Sequence, residues 1–287
     1  MKSPTRALLV PLTVALGLAA AGCSSTTSGS ASTGGASGSA SGGPAAVGST
    51  SASSSRPASA PASAPAATAE ELASRLQSGL ATTRTARISL SVTTGGQSLN
   101  GHGVERLTAG KLSALDLTET VPGAGELRVI QVGGKTYARL PASLNHSGKP
   151  YVLVTGNSSD PTVRNLAKSL DSTQSSASAG NAGILAAASD SVKATVGQDV
   201  GGVRTTRYAI VVDTAKLPAT YPGRAALVQA GVTRLPVDIY VDGSNHPVKV
   251  TERFTASGQA VSTTILVTGY NRPVTITAPP ASQVSTR

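Results

Sequence analysis

Apolar positions along this chain repeat first at helical spacing and then, for most of its length, at a spacing of two. Leu72, Leu76 and Leu80 fall on one helical face, and Thr68 and Glu71 stand ahead of them at the spacing of a capping box. One amphipathic helix therefore opens the folded part. Ile88, Leu90 and Val92 then alternate with Arg87, Ser89, Ser91 and Thr93, the pattern of a half-buried strand. Leu115, Leu117 and Val121 share a further strand face. Residues 127–132 lead into Gly133-Gly134 and residues 136–140 lead away, a two-residue hairpin signature that Gly201-Gly202 repeats between 192–200 and 203–212. Asp242-Gly243-Ser244-Asn245 joins 237–241 to 248–250, Ser257-Gly258 turns into 261–268, and a last short strand is expected at 274–277 before Pro279-Pro280. About ten to twelve strands are expected, in antiparallel meander order.

Helical patterning returns in three further segments. Asp160-Pro161 reads as an N-cap followed by proline at the first helical position, with Val163, Leu166, Ala167 and Leu170 as the apolar face. Residues 184–188 suit a short apolar helix, and 224–230 another that stops at Gly231. The expected class is α+β: a large curved antiparallel sheet covered on its dry face by a few amphipathic helices, around an apolar core or cavity.

Ahead of this part the pattern changes twice. Lys2 and Arg6 precede an apolar run, 7–21, too short to span a hydrocarbon layer of roughly 30 Å as a helix. The run closes on Ala20-Ala21-Gly22-Cys23, the layout of a bacterial lipoprotein signal, although Ala20 stands where such signals most often carry Leu. Residues 1–22 are thus expected to be removed and Cys23, the chain's one cysteine, to be lipidated; two acyl chains anchor stably where one is marginal. Residues 24–66 are almost entirely Ser, Ala, Gly, Thr and Pro with Arg56 as their one charge, too polar to offset chain entropy. The expected order is signal 1–22, lipidated cysteine and tether 23–66, and a folded domain 67–287. A tether of that length reaches roughly 35 Å, so the domain can leave the membrane and return to it. The expected location is the outer face of the cell membrane.

Composition narrows the chemistry. With one cysteine there is no disulfide framework and no cysteine-based zinc site. The chain has no Trp and a single Phe, Phe254, so Val, Leu, Ile and Ala must fill its interior. Its net charge of +10 is spread singly, without the clustering and interleaved aromatics of a nucleic-acid binder. His102, His146 and His246 sit in turn-like contexts far apart, with no metal-binding spacing, and neither a GxSxG elbow nor an SxxK pair occurs. Asp238 and Asp242 read as a strand-edge charge and a turn-forming residue. No catalytic residue, metal or cofactor is expected, and the chain is read as a non-enzyme.

Several segments together resemble the LppX/LprG family of actinobacterial lipoproteins. They are the lipoprotein signal and tether, Val132-Gly133-Gly134-Lys135-Thr136-Tyr137, Gly202-Val203-Arg204-Thr205-Thr206-Arg207-Tyr208, Tyr240-Val241-Asp242-Gly243 with His246-Pro247-Val248-Lys249-Val250, and Tyr270-Asn271-Arg272-Pro273-Val274. Tyr240 and Val241 stand where that family often has a Trp. The resemblance covers about residues 70 to 284 and implies a half-barrel closed by helices, related to the LolA/LolB carriers, around a cavity for multi-acylated lipids or glycolipids. Val163, Leu166, Leu170, Ile184 and Leu185 are the candidates for lining it from the helical side. The expected function is to bind acylated lipids and carry or present them in the envelope; the alternative is a structural or interaction lipoprotein with a solid core.

Overall fold

A computed structural model describes residues 65–173, 181–221, 224–256 and 258–286. Helix α1, Ala69–Ala81, opens the domain as its capping box dictates: the Thr68 hydroxyl accepts from the Glu71 N–H at 3.2 Å, and Glu71 Oε2 accepts from the Ala67 N–H at 2.9 Å. Leu72, Leu76 and Leu80 are all buried. Ala66, the last residue of the expected tether, is buried too, and its N–H donates to the Tyr208 hydroxyl at 3.1 Å.

Six strands follow as a meander: β1 (Thr85–Thr94), β2 (Gln97–Thr108), β3 (Lys111–Val121), β4 (Gly125–Val132), β5 (Lys135–Arg139) and β6 (Tyr151–Leu153). Gly133 and Gly134, at φ 60° and 71°, make the β4–β5 turn, a conformation that suits the twist of a hairpin and excludes most side chains. The chain then passes through α2 (Pro161–Thr173) and α3 (Asn181–Ala187) to the opposite edge of the sheet. It returns as β7 (Ser189–Val200), β8 (Val203–Asp213), β9 (Arg234–Val241), β10 (Pro247–Ala256) and β11 (Gln259–Thr268), with the short α4 (Arg224–Gln229) between β8 and β9. A two-residue strand, β12 (Val284–Ser285), ends the described chain.

The sheet order is β12-β6-β5-β4-β3-β2-β1-β11-β10-β9-β8-β7. Two meanders therefore meet at one seam, where β1 pairs with β11 over the eight residue pairs from Arg87↔Thr268 to Thr94↔Val261. Every pairing is antiparallel except β12 with β6. The sheet is open, with β7 and β12 at its edges.

Three elements depart from the sequence expectation. Strand β2 escaped it because the middle of its face toward the helices, between Leu99 and Leu107, is Gly101, Gly103 and Glu105, which breaks the apolar alternation of a strand. Residues 274–277 form no strand; they are bounded by Pro273 on one side and by Pro279 and Pro280 on the other, residues that interrupt any ladder running through them. Their alternation still has a use, since Val274 and Ile276 pack with Ala114, Ile130, Tyr151 and Val284 on the outer face of the sheet. The closing strand is instead β12, which among the described residues pairs with β6 alone.

Helix α1 sits tightly on the β9–β10 turn. A Cβ placed on Gly79 would lie 2.4 Å from the carbonyl oxygen of Asn245 and 2.7 Å from its carbonyl carbon, both backbone atoms with no rotamer to give way. Gly79→Ala is expected to destabilise the domain by about 1–3 kcal/mol, read as a lowered denaturant midpoint at unchanged m-value. An unchanged midpoint would show that the helix is free to shift away from the turn.

Candidate functional site

Strand register puts one row of residues on the face that the helices cover: Val152, Ala138, Val129 and Leu117, then Gly103, Ile88 and Val267. A parallel row continues it through Ile265, Val250, Ile239, Tyr208 and Ala194. Helices pack on this inner face in three clusters, one of them central, where Leu80 of α1 meets Ile88, Leu117 and Val267. Helix α2 packs Val163 and Leu166 onto Leu127, Val129, Ala138, Leu140 and Val152 at the β4–β6 end. At the other end α1 and α3 pack Leu72, Leu76 and Leu185 against Tyr208, Ile210, Val237 and Ile239, with Leu227 of α4 in the same cluster.

The predicted lining residues therefore divide between the two ends. Val163 and Leu166 belong to the α2 cluster; Leu185 is buried in the α1–α3 cluster, with Ile184 packed half-buried against it. Leu170 lies in α2, and its side chain is outside the described residues, as are Cys23 and the tether to residue 64. Between the ends the middle of the sheet carries Leu90 and Val92 on β1 and Val261 on β11. All three are buried, yet among the described residues they join none of the four apolar clusters. This strip on either side of the β1–β11 seam is the candidate site.

Sequence patterning did not anticipate the polar groups around the strip. Glu105, Glu119 and Glu252 all face inward and are buried. Burial in apolar surroundings pushes the carboxyl of Glu119 up to about 7, and that of Glu252 likewise to about 7. Thr263, directly opposite Glu252 and Val92, is 6% exposed. The signal that could have found Glu119 is its place in β3: counted in twos from Leu115 and Leu117, it falls on their face.

The outer face is of a different kind. Arg128 donates to both oxygens of Asp116, at 2.8 and 2.7 Å, and Arg207 donates to Asp238 at 3.0 and 2.7 Å. Arg253 reaches the other Asp238 oxygen at 3.3 Å, so Asp238 is an ion-paired residue of an interior strand and not a strand-edge charge. Asp242 is the turn residue expected of it, accepting from the N–H groups of Ser244 and His246 at 2.8 Å each. Burial pushes its carboxyl up, but the hydrogen bonds from His246 and Ser244 outweigh that and hold it below the usual range. His102 and His146 are exposed; His246 is buried and stacks on Tyr270 with ring centroids 4.3 Å apart. Among the described residues no helix is long and apolar enough to cross a membrane.

The described residues thus form a wide open antiparallel sheet with a few helices on one face. Among solved structures the chain is similar to LprF from Mycobacterium bovis, with TM-score 0.47 and 13% identity over 74% of this chain and 96% of that one. It is also similar to the lipoprotein LppX from Mycobacterium tuberculosis, at 0.45 and 14% over 72% and 98%. A LolA superfamily protein from Nitrosomonas europaea scores 0.29 at 8% identity over 76% and 97%. No protein-family model and no curated protein matches the chain.

The raised carboxyls make stability depend on pH in a defined direction. Between about 4.5 and 7 the folded state holds protons on Glu119 and Glu252 that the unfolded chain has released, so stability falls as pH rises through this window. Each carboxyl accounts for on the order of 3 kcal/mol. The thermal midpoint is expected to be higher at pH 5 than at pH 8, with Glu119→Gln flattening the slope by about half. A wild-type midpoint constant over that range would mean that the two carboxyls are not held neutral.

Proposed function

We propose that this chain is a membrane-anchored extracytoplasmic lipoprotein that binds acylated lipids or glycolipids along the inner face of its sheet and carries or presents them in the envelope. The observation that carries the reading is the strip of Leu90, Val92 and Val261, buried between two helix-packed ends without belonging to either. A long apolar ligand suits such a strip, because each buried methylene contributes about 0.8 kcal/mol without any chemistry at the site. Val163, Leu166 and Leu170 of α2 would line it from one side and Ile184 and Leu185 of α3 from the other. Cys23 would hold the domain to the bilayer through its acyl chains, and the 24–66 tether would let the domain reach the membrane and withdraw. No enzymatic step, metal or cofactor enters this reading, and nothing in it names a protein partner.

Native mass spectrometry of the domain purified from its own host is expected to show bound lipid that solvent extraction removes. Repeated absence of lipid, together with a filled interior, would favour the solid-core structural lipoprotein. Cys23→Ser is expected to move the protein from the membrane fraction to the soluble one while leaving lipid occupancy of the domain unchanged; retention in the membrane fraction would argue against the anchor.

A further inference from the structure

The inner face keeps hydrogen-bonding capacity that the described residues do not use. Glu119 is 1% exposed, and neither of its carboxyl oxygens has a hydrogen-bond partner among the described residues. The Thr263 hydroxyl is in the same state on the same face. Strand register places these two groups on opposite sides of the Leu90 and Val92 strip: Glu119 pairs through Gly101 with Leu90, and Thr263 pairs with Val92.

Local geometry aims Glu119 at the strip. A Cβ on Gly101 would lie 3.1 Å from Glu119 Cγ and 3.7 Å from Leu90 Cβ, so the glutamate side chain leans over β2 through the space that glycine leaves. Its other cross-strand neighbour is Leu127, which offers no acceptor. A buried polar group left unsatisfied costs about 1–3 kcal/mol, and a neutral carboxylic acid has one O–H to donate. An anionic headgroup is a poor complement, since burying its charge beside a carboxyl is costly. A neutral acceptor oxygen carried on an apolar chain fits both the surroundings and the unspent donor.

We propose that Glu119 donates a hydrogen bond to the ester carbonyl of an acyl lipid lying on the inner face, so that the site selects esterified acyl chains over ether-linked ones. This inference rests on the lipid-binding reading above and specifies its ligand.

The test uses the full chain, stripped of co-purified lipid, at pH 6, with two probes: a pyrene-labelled diacylglycerol and the dialkyl ether of the same chain length, which lacks the carbonyls. The wild type is expected to bind the ester at least about fivefold more tightly, the scale of one buried hydrogen bond. Glu119→Met is expected to bring the two affinities within about twofold while keeping that for the ether. Glu119→Gln, whose amide still donates, should keep most of the preference. Equal wild-type affinity for the two probes overturns the carbonyl contact and leaves the lipid-binding reading standing, even if the Met variant fails to fold. An undiminished preference in a folded Glu119→Met protein overturns it too. Failure of the wild type to bind either probe overturns both readings.

Discussion

Everything in this domain depends on the pairing of β1 with β11. It joins the first long strand after α1 to the last, across almost the whole domain sequence, through an unbroken ladder from Arg87↔Thr268 to Thr94↔Val261. Without that seam there would be two separate meanders, each with an unpaired inner edge. With it there is one sheet, and Ile88, Leu90 and Val92 join Val261, Ile265 and Val267 on a continuous inner face. The contact is remote in sequence, so its loop-closure entropy must be met before the ladder rewards it; the local hairpins on either side reduce what remains to be ordered.

The two meanders are not buried in the same way. At the β3–β6 end the sheet is covered on both faces, by Val163 and Leu166 of α2 inside and by Val274, Ile276 and Val284 outside. At the β7–β10 end α1, α3 and α4 cover the inside, while the outer face carries the Asp238 ion pairs with Arg207 and Arg253. Carboxylates thus have two fates set by face. Asp116 and Asp238, outside, are neutralised by arginines. Glu119 and Glu252, inside, are held toward the neutral form by burial. That division places protonatable, hydrogen-bonding groups beside an apolar strip, which is what recognition of a mostly apolar molecule with a few polar atoms requires.

Much of the fold is legible in the sequence because it is written in short-range code. The Thr68 and Glu71 cap, the Gly133-Gly134 and Gly201-Gly202 turns and the Asp160-Pro161 helix start each depend on residues within a few positions of one another. Where the local code is silent the elements are not legible: the middle of β2 has glycines and a glutamate in place of an apolar stripe, and 274–277 has the stripe but, bounded by Pro273, Pro279 and Pro280, pairs with no strand among the described residues. The site was less legible than the fold. Val163, Leu166 and Leu185 could be named from helical periodicity, but that they serve opposite ends of one sheet face follows only from the crossover through α2 and α3.

By itself the sequence determined the alternation of strands, their turns, the helix starts and the aliphatic character of the interior, since each follows from local backbone preference and side-chain period. Tertiary structure alone decided which edges meet, that Glu119 leans over Gly101 toward Leu90, and that His246 is buried against Tyr270. Those outcomes depend on strand register, which couples residues far apart in the chain and assigns every side chain to a face at once.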